Sequence, residues 1–205
     1  MTDALATLGT PELLALAAAL GWASGLRLYA AVFLTGVAGA MDWFALPPGL
    51  TVLQHPAVLV ASGFMLTVEF LADKLPLIDS MWDLVHSVIR VPAGAALAAA
   101  ALGADGPTMA VVAALLGGTL AATSQAAKTS SRAAINASPE PVSNVLASLL
   151  EDGLVVGAFW LATQHPLAFG VALAVVVVLM WLLTAWLWRF LRAAWRRLTG
   201  GWARA

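Results

Sequence analysis

The stretch from Glu69 to Arg90 reads EFLADKLPLIDSMWDLVHSVIR and carries seven titratable side chains. Within it, Asp79, Asp83, His86 and Arg90 are spaced 4, 3 and 4 residues apart. On an α-helix this spacing places the four side chains along one face. Ionisable side chains are costly in an apolar environment, so a polar stripe of this kind indicates a functional site or a set of buried ion pairs.

The rest of the chain is mostly apolar. Of its 205 residues, 61% are hydrophobic and 10% are charged, and the mean hydropathy is +0.91. A soluble domain has about 25% charged residues, so this composition is typical of an integral membrane protein whose first partner is the lipid bilayer. The absence of cysteine excludes disulfides and thiolate metal sites. There is no nucleophile motif, phosphate-binding glycine loop or nucleic-acid signature, so we assign no catalytic residue and expect no nucleic-acid partner.

Hydrophobic runs and breakers predict an all-α fold, a polytopic membrane bundle of about six transmembrane helices. We expect these helices near residues 13–40, 56–73, 79–102, 107–127, 139–164 and 167–188, with Ser138 as the N-cap of the fifth. They form a transmembrane domain over residues 1–188, followed by an Arg/Trp-rich juxtamembrane tail over residues 189–205. Pro92 and Gly94 are predicted to kink or interrupt the third helix.

The basic residues indicate the orientation of the bundle. With six spans, every Lys and Arg except the mid-span Arg27 and Arg90 lies on the side of both termini. The three opposite loops, around residues 41–55, 103–107 and 164–166, contain no basic residue. The positive-inside rule therefore predicts that both termini are cytoplasmic.

A weak internal repeat of helical hairpins is also visible. Helices two and three can be aligned with helices four and five, which matches Ser62-Gly63 with Gly117-Gly118 and Asp73 with Lys128. This alignment would be a parallel repeat about the membrane normal. A three-plus-three inverted repeat and chance similarity among Ala- and Leu-rich helices remain alternatives.

Four charged residues fall near the predicted midplane of the bilayer. At 1.5 Å per residue, Arg90, Glu151 and Asp152 lie roughly 15–20 Å from the cytoplasmic ends of their helices, and Arg27 lies at a similar level. An unpaired charge at that depth costs several kcal/mol. We therefore expect Arg27 to pair with Glu151 or Asp152, and Arg90 with the carboxylate that remains. The alternative role for these four residues is a buried ion-pair cluster that only locks the bundle.

Polar residues continue from the midplane toward the cytoplasm, whereas the outer halves of the third and fifth helices are apolar. This pattern predicts a cytoplasm-facing polar vestibule that ends beneath an apolar outer gate, with Gly153 and Gly157 as further weak points beside that gate. The candidate pathway or ligand-binding residues are Arg27, Glu69, Asp73, Asp83, His86, Arg90, Lys128, Arg132, Asn144, Glu151 and Asp152. For the residues near the two cytoplasmic turns, simple solvation of those turns is the alternative.

His86 has three alternative roles: proton relay, metal ligand or hydrogen-bonded helix residue. Together with Asp79 and Asp83 it offers nitrogen and oxygen ligands, although the spacing is a weak metal signal. We therefore expect no resident cofactor and leave a divalent metal open.

Several of these motifs resemble the bacterial membrane family catalogued as domain of unknown function 4126. The resemblance covers roughly residues 12–165 and rests on GLRLY at 25–29, EFLADK at 69–74, DSMWD at 79–83 with His86, SPEPVSN at 138–144 and the pair Glu151-Asp152. It implies a multi-span protein of the bacterial cytoplasmic (inner) membrane with a polar core, and it implies no activity or substrate. Val91 departs from the pattern, because a second proline is expected before Pro92.

These observations favour a small transporter or channel. Around the expected pathway, seven acidic and five basic residues leave an excess of negative charge, which favours a cation or a proton-coupled solute. One alternative is a membrane-embedded enzyme acting on a lipid phosphate, in which Glu69, Asp73, Asp79 and Asp83 hold Mg²⁺ and Lys128 and Arg132 bind the phosphate. A structural membrane subunit is the other alternative, and a homo-oligomer is left open.

Overall fold

The computed structural model describes residues 8–103, 106–136 and 141–200, and within these ranges positions 76, 77, 79, 80, 141, 194, 195 and 197–200 are described by their backbone only. Its six α-helices are α1 Thr10–Ala40, α2 Pro56–Ala72, α3 Pro76–Leu102, α4 Pro107–Asn136, α5 Pro141–Gln164 and α6 Pro166–Gly200. A 3-10 helix, Pro48–Gln54, precedes α2. Proline is the first residue of α2, α3, α4 and α6, because its fixed φ suits the first helical turn and the N–H that it lacks would have no helical partner there.

Length and composition make this helix set a membrane bundle. Among the described residues, five helices are long and apolar enough to cross a bilayer, and there are six spans if the 3-10 helix and α2, bent by 72°, count as one. The predicted all-α polytopic fold is confirmed.

The surface of α3 shows why the bundle suits a bilayer. Its polar residues Asp83, His86 and Arg90 are buried, whereas Leu84 and Val88 on its other face are 73% and 74% exposed. Polar groups inside and large aliphatic groups outside are the reverse of a soluble protein, and the outer face therefore faces lipid.

Helix α1 lies at the centre of the bundle and packs against α2, α3, α4 and α5. Small residues make this packing close: a Cβ added to Gly21 would lie 2.6 Å from the Cα of Gly117 on α4. A Cβ on Gly25 would likewise overlap the Ala121 carbonyl of α4. The backbones of α1 and α4 can approach this closely only because no side chain separates them.

The helical path of α1 is interrupted at Arg27, whose φ of −145° and ψ of 77° are not helical. The carbonyl of Leu26, the residue before the break, accepts a hydrogen bond from Lys128 Nζ at 3.2 Å. By contrast, α3 continues through Pro92, so the interruption predicted there is wrong and the break lies in the central helix instead.

The loops separate to the two ends of the bundle as six alternating spans require. At one end, the 3-10 helix approaches the end of α3 through Gly49 and Ala100, and the ring of Phe44 lies 6.2 Å from that of Phe159 on α5. At the other end, Arg132 near the end of α4 donates to the carbonyl of Asp73 in the turn after α2. The 41–55 loop therefore lies at the opposite end from the α2–α3 turn.

Several helices extend beyond their predicted ends. Helix α4 continues to Asn136, so the polar run from Ser124 to Arg132 is helical, and α6 continues into the tail as far as Gly200. The predicted N-cap, Ser138, lies outside the described residues.

Topology can be tested with single cysteines, since the chain has none of its own. We expect cysteines at Asp42 and Asn136 to react with an impermeant reagent from opposite sides of the membrane, with Asn136 on the cytoplasmic side. Labelling of both positions from one side would exclude the six-span arrangement.

A pair of glycine substitutions tests the central packing. Gly21→Ala should destabilise the protein by about 1–3 kcal/mol, because the new methyl group meets the α4 backbone. Gly157→Ala on α5, where an added Cβ meets nothing within 4 Å, should stabilise the protein by about 0.5–1 kcal/mol through helix propensity. Unfolding in denaturing detergent measures both, and the same sign for both variants would contradict this packing.

Candidate functional site

A cluster of buried charges joins five helices around the break in α1. It contains four cations and five carboxylates: Arg27, Arg90, Lys128, Arg132, Glu69, Asp73, Asp83, Glu151 and Asp152. The cations are 2% exposed or less, so their charge is stabilised by partners and not by water. We call these nine residues the charge cluster.

Arg27 lies at the centre of the charge cluster. Its Nη1 pairs with Asp73 at the end of α2, and its Nε lies 3.0 Å from Asp152 and 3.6 Å from Glu151 on α5. The remaining nitrogen, Nη2, donates to the hydroxyl of Ser148 at 2.7 Å and to its carbonyl at 3.1 Å. One arginine thus connects α1, α2 and α5.

Arg90 connects a second set of helices. Its Nη2 lies 2.6 Å from Glu69 Oε1 on α2, and its Nη1 lies 2.8 Å from Asp83 Oδ1, two turns earlier on α3. Nη1 also donates to the side-chain carbonyl of Gln125 on α4 at 3.0 Å. Arg90 therefore connects α2, α3 and α4.

Lys128 and Arg132 link these two arginine groups. Lys128 Nζ lies 3.1 Å from Asp73, 3.3 Å from Asp83 and 3.2 Å from Glu151. Arg132 Nη2 lies 3.0 Å from Glu151, and its Nη1 donates to the side-chain oxygen of Asn144 at 3.1 Å. Because Lys128 touches carboxylates from three helices, the nine residues form one connected network.

The structure confirms one predicted pairing and corrects another. Arg27 pairs with Asp152, as expected from depth alone, and Asp73 is an additional partner. Arg90 pairs with Glu69 and Asp83, so the prediction that it takes the carboxylate left over from Glu151 and Asp152 is wrong. The physical reason is direction: Arg90 faces α2 and α4, whereas Glu151 and Asp152 lie on α5.

His86 is held by hydrogen bonds at both ring nitrogens. Nδ1 lies 2.9 Å from the Trp82 carbonyl, and Nε2 lies 3.1 Å from the Tyr29 hydroxyl. A carbonyl only accepts, so Nδ1 carries a proton, and Nε2 of a neutral ring accepts from Tyr29. Of the three roles considered for His86, this geometry supports the hydrogen-bonded residue and leaves neither nitrogen free for a metal.

Among the described residues, no three His, Asp or Glu side chains meet as metal ligands, so the divalent metal that the sequence left open gains no support there. Asp83, a candidate ligand, faces Arg90 and Lys128 instead. The side chain of Asp79 lies outside the described residues.

The polar residues of the predicted vestibule are packed against one another. Asp83, His86 and Asn144 are 5% exposed or less, so in this conformation the vestibule is closed.

The side chain of Asp152 is 27% exposed and that of Glu151 12%. Asp152 lies at one end of an apolar groove of about 270 Å³ between α1, α2 and α5, lined by Ala30, Leu34, Leu66, Thr67, Phe70 and Val156. Asp152 is therefore the least enclosed carboxylate of the charge cluster.

Charge and hydrogen bonding are both unbalanced in the charge cluster. Within the nine residues of the charge cluster, five carboxylates face four cations, which leaves one negative charge in excess among the ion-paired groups. A fifth cation, Lys74, acts electrostatically on Asp152 and Asp73 without an ion pair among the described residues. Four buried carboxylate oxygens, Glu69 Oε2, Asp73 Oδ1, Asp83 Oδ2 and Glu151 Oε2, have no hydrogen-bond partner in the part of the chain that the structure describes, although Lys128 Nζ lies 3.2 Å from the last of them. An excess charge with unpartnered oxygens in the membrane interior is unfavourable unless a cation or proton neutralises it.

Sequence reasoning assigned no role to Gln125 and Tyr29, which hold Arg90 and His86 in place. Gln125 had a usable signal, because it is an amide in an apolar helix three residues before Lys128. Tyr29 had a weaker one, as the chain's single tyrosine two residues after Arg27.

The fold and the charge cluster define a multi-pass helical membrane protein with a buried ion-pair core. A family model described as a domain of unknown function, DUF4126, matches residues 14–186, and the chain belongs to this family. No curated protein and no solved structure matches the chain.

The central ion pairs can be tested by a mutant cycle. Arg27→Ala should destabilise the protein by about 3–5 kcal/mol, because it leaves buried carboxylates without their cation. Adding Asp152→Asn should recover part of the loss, since Arg27 is the one cation within ion-pair distance of Asp152 among the described residues.

Unfolding midpoints in denaturing detergent measure both steps of this cycle. Arg192→Ala, which removes an exposed arginine near the end of α6, is the matched control and should change stability by less than about 0.5 kcal/mol. Simple addition of the Arg27 and Asp152 losses would show that the two residues do not interact.

Proposed function

We propose that this protein is a small membrane transporter for a proton or another small cation, carried alone or with a solute, and that the present conformation is occluded. We place it in the bacterial cytoplasmic membrane with both termini cytoplasmic, on the basis of its one-sided basic residues. The charge cluster is the transport site in this proposal, and Asp152 is the carboxylate through which the ion exchanges.

The observation that carries the proposal is the break of α1 at Arg27 in the middle of the charge cluster. Known transporters place their ion and substrate sites at interrupted helices near the bilayer midplane, where unwound backbone carbonyls are available as ligands. Here the Leu26 carbonyl beside the break is held by Lys128, a side chain that also contacts three carboxylates. The broken helix and the charged site therefore coincide.

The excess negative charge supports a positively charged cargo. One uncompensated carboxylate in a low-dielectric interior attracts a proton or cation, and an anion would add to the imbalance. Asp152 is the most exposed carboxylate of the charge cluster, so it is the natural point of exchange.

The enzyme alternative has less support from the geometry. Lys128 and Arg132, the residues considered for binding a phosphate, already contact carboxylates at 3.0–3.3 Å. Glu69, Asp73 and Asp83 face arginine and lysine instead of converging on a common point. A lipid phosphate and Mg²⁺ would each need these ion pairs to open.

A static ion-pair lock is the second candidate function, and it is favoured by the nearly complete burial of all four cations. In that role the charge cluster fixes the order of the helices and moves nothing. Only a flux measurement separates this role from transport.

The experiment uses the purified protein in sealed vesicles that contain a pH-sensitive dye. Wild-type protein should dissipate an imposed proton gradient, or couple it to a Na⁺ or K⁺ gradient, faster than empty vesicles do. Asp152→Asn keeps the side-chain shape and removes the charge, and it should abolish the flux or its pH dependence while leaving the helical fold intact.

Asp42→Asn is the matched control for this substitution, because Asp42 is exposed in the 41–55 loop, outside the charge cluster. It should leave flux unchanged. Flux equal to that of empty vesicles under every gradient would reject transport in favour of the static lock. Unchanged flux in Asp152→Asn would reject Asp152 as the exchange point.

A further inference from the structure

We infer that Glu69 is a buried proton-binding site, which holds a proton at neutral pH in the present conformation. The inference deepens the proposed function, because it identifies the cation that neutralises the charge cluster at rest and the residue that holds it.

The five carboxylates differ in how many cations they contact. Asp73 and Glu151 each lie within ion-pair distance of Arg27, Lys128 and Arg132. Asp83 contacts Arg90 and Lys128. These three carboxylates are therefore stabilised as anions by two or three cations each.

Glu69 and Asp152 have one cationic partner each among the described residues, and they differ in exposure. Asp152 shares Arg27 with Asp73 and Glu151, but its side chain is 27% exposed and Lys74 also acts electrostatically on its charge. Glu69 contacts Arg90 and is fully buried. Moreover, Arg90 divides its single charge between Glu69 and Asp83. Glu69 therefore combines full burial with a single, shared counter-ion, and desolvation favours its neutral form.

The hydrogen bonds of Glu69 leave one oxygen available for a proton. Oε1 accepts from Arg90 Nη2 at 2.6 Å, and that bond persists when the other oxygen is protonated. Oε2 is buried and has no hydrogen-bond partner within the described ranges. A neutral O–H costs less in that position than a charged oxygen without a donor. The proton comes from solvent and forms the Oε2–H bond, and the charge cluster then has four negative and four positive groups.

The charged and titratable groups that act on Glu69 lie on three other helices and beside its own. They are Arg90 on α3, Lys128 on α4, Arg27 and Tyr29 on α1, and Asp73 directly after α2. Arg27 and Lys128 are drawn to other carboxylates, with Asp73 as a shared partner, so neither provides Glu69 with a direct counter-ion. Arg90 alone remains in contact.

Infrared spectroscopy tests the site directly. At neutral pH, in a detergent without ester groups, the carbonyl stretch of a protonated carboxylic acid stands apart from the amide and carboxylate bands. Wild-type protein should show this band, and Glu69→Gln should remove it. Asp42→Asn should retain it, because that carboxylate is exposed and ionised. Absence of the band from wild-type protein, or its persistence in Glu69→Gln, would overturn the inference.

A second variant, which changes the charge balance around Arg90, tests the inference with the same infrared band. Asp83→Asn removes one carboxylate and leaves Arg90 to Glu69 alone, so Glu69 should ionise and the acid band should disappear. If the band persists in Asp83→Asn, Glu69 is not protonated because it shares Arg90 with Asp83, and the inference is contradicted.

Thermal stability provides a readout that does not depend on spectral assignment. Glutamine imitates a protonated carboxyl group, so Glu69→Gln should unfold within a degree or two of wild type. Asp73→Asn removes a carboxylate in contact with three cations and should unfold several degrees lower. Failure of Glu69→Gln to fold, or an equal loss in the two variants, would show that Glu69 is ionised and would reject the site.

These measurements separate the proton site from transport. An acid band in a protein that moves no ion rejects the proposed transport and leaves the proton on Glu69. Proton flux in a protein without the band rejects the site and leaves transport.

Discussion

Burial of the Arg27 guanidinium is the constraint on which the rest of the structure depends. An uncompensated cation in the membrane interior costs several kcal/mol, and this side chain is completely buried in the central helix. Compensation requires Asp73 from α2 and Asp152 from α5 to reach the same point. The small residues of α1, Gly21 and Gly25, let α4 approach closely enough for Lys128 to reach the same group. Helix packing and charge compensation are therefore parts of a single arrangement.

Much of this arrangement could be predicted from the sequence. Apolar runs bounded by prolines defined the spans, and the stripe in α3 was correctly expected to face inward, since Asp83, His86 and Arg90 are all buried. Depth along the helices predicted that Arg27 meets Asp152. It did so because rise per residue is constant, so position along a span is readable from a sequence. The same count of residues along each span predicted which loops lie together at each end of the bundle.

The sequence did not predict the direction in which a side chain points around its helix axis, or how far a long side chain reaches along the bundle. Helical rise gives depth but does not say which neighbour a residue faces, so Arg90 was paired with the wrong carboxylates when its partners are Glu69 and Asp83. Asp73 was placed at a cytoplasmic turn, yet it pairs with Arg27, because an arginine side chain extends well beyond its own backbone level. The break in α1 was missed since no proline marks it, and only tertiary contacts, such as that between Lys128 and the Leu26 carbonyl, stabilise a chain interrupted there.

The placement of Glu69 connects charge to motion. Helix α2 packs mainly on α1, with apolar grooves of about 520 Å³ toward α3 and about 270 Å³ toward α5. Its polar contacts with the bundle are concentrated at its C-terminal end, where Glu69 contacts Arg90 and Asp73 contacts Arg27. A helix with open space on both sides loses little packing when it shifts, so its position depends unusually strongly on those two contacts. Releasing the proton from Glu69 would strengthen its contact with Arg90 on α3 and leave the contact between Asp73 and Arg27 on α1 unchanged. A proton at this residue would therefore act on the helix that is least restrained by packing, which is the physical requirement for coupling ion binding to a conformational change.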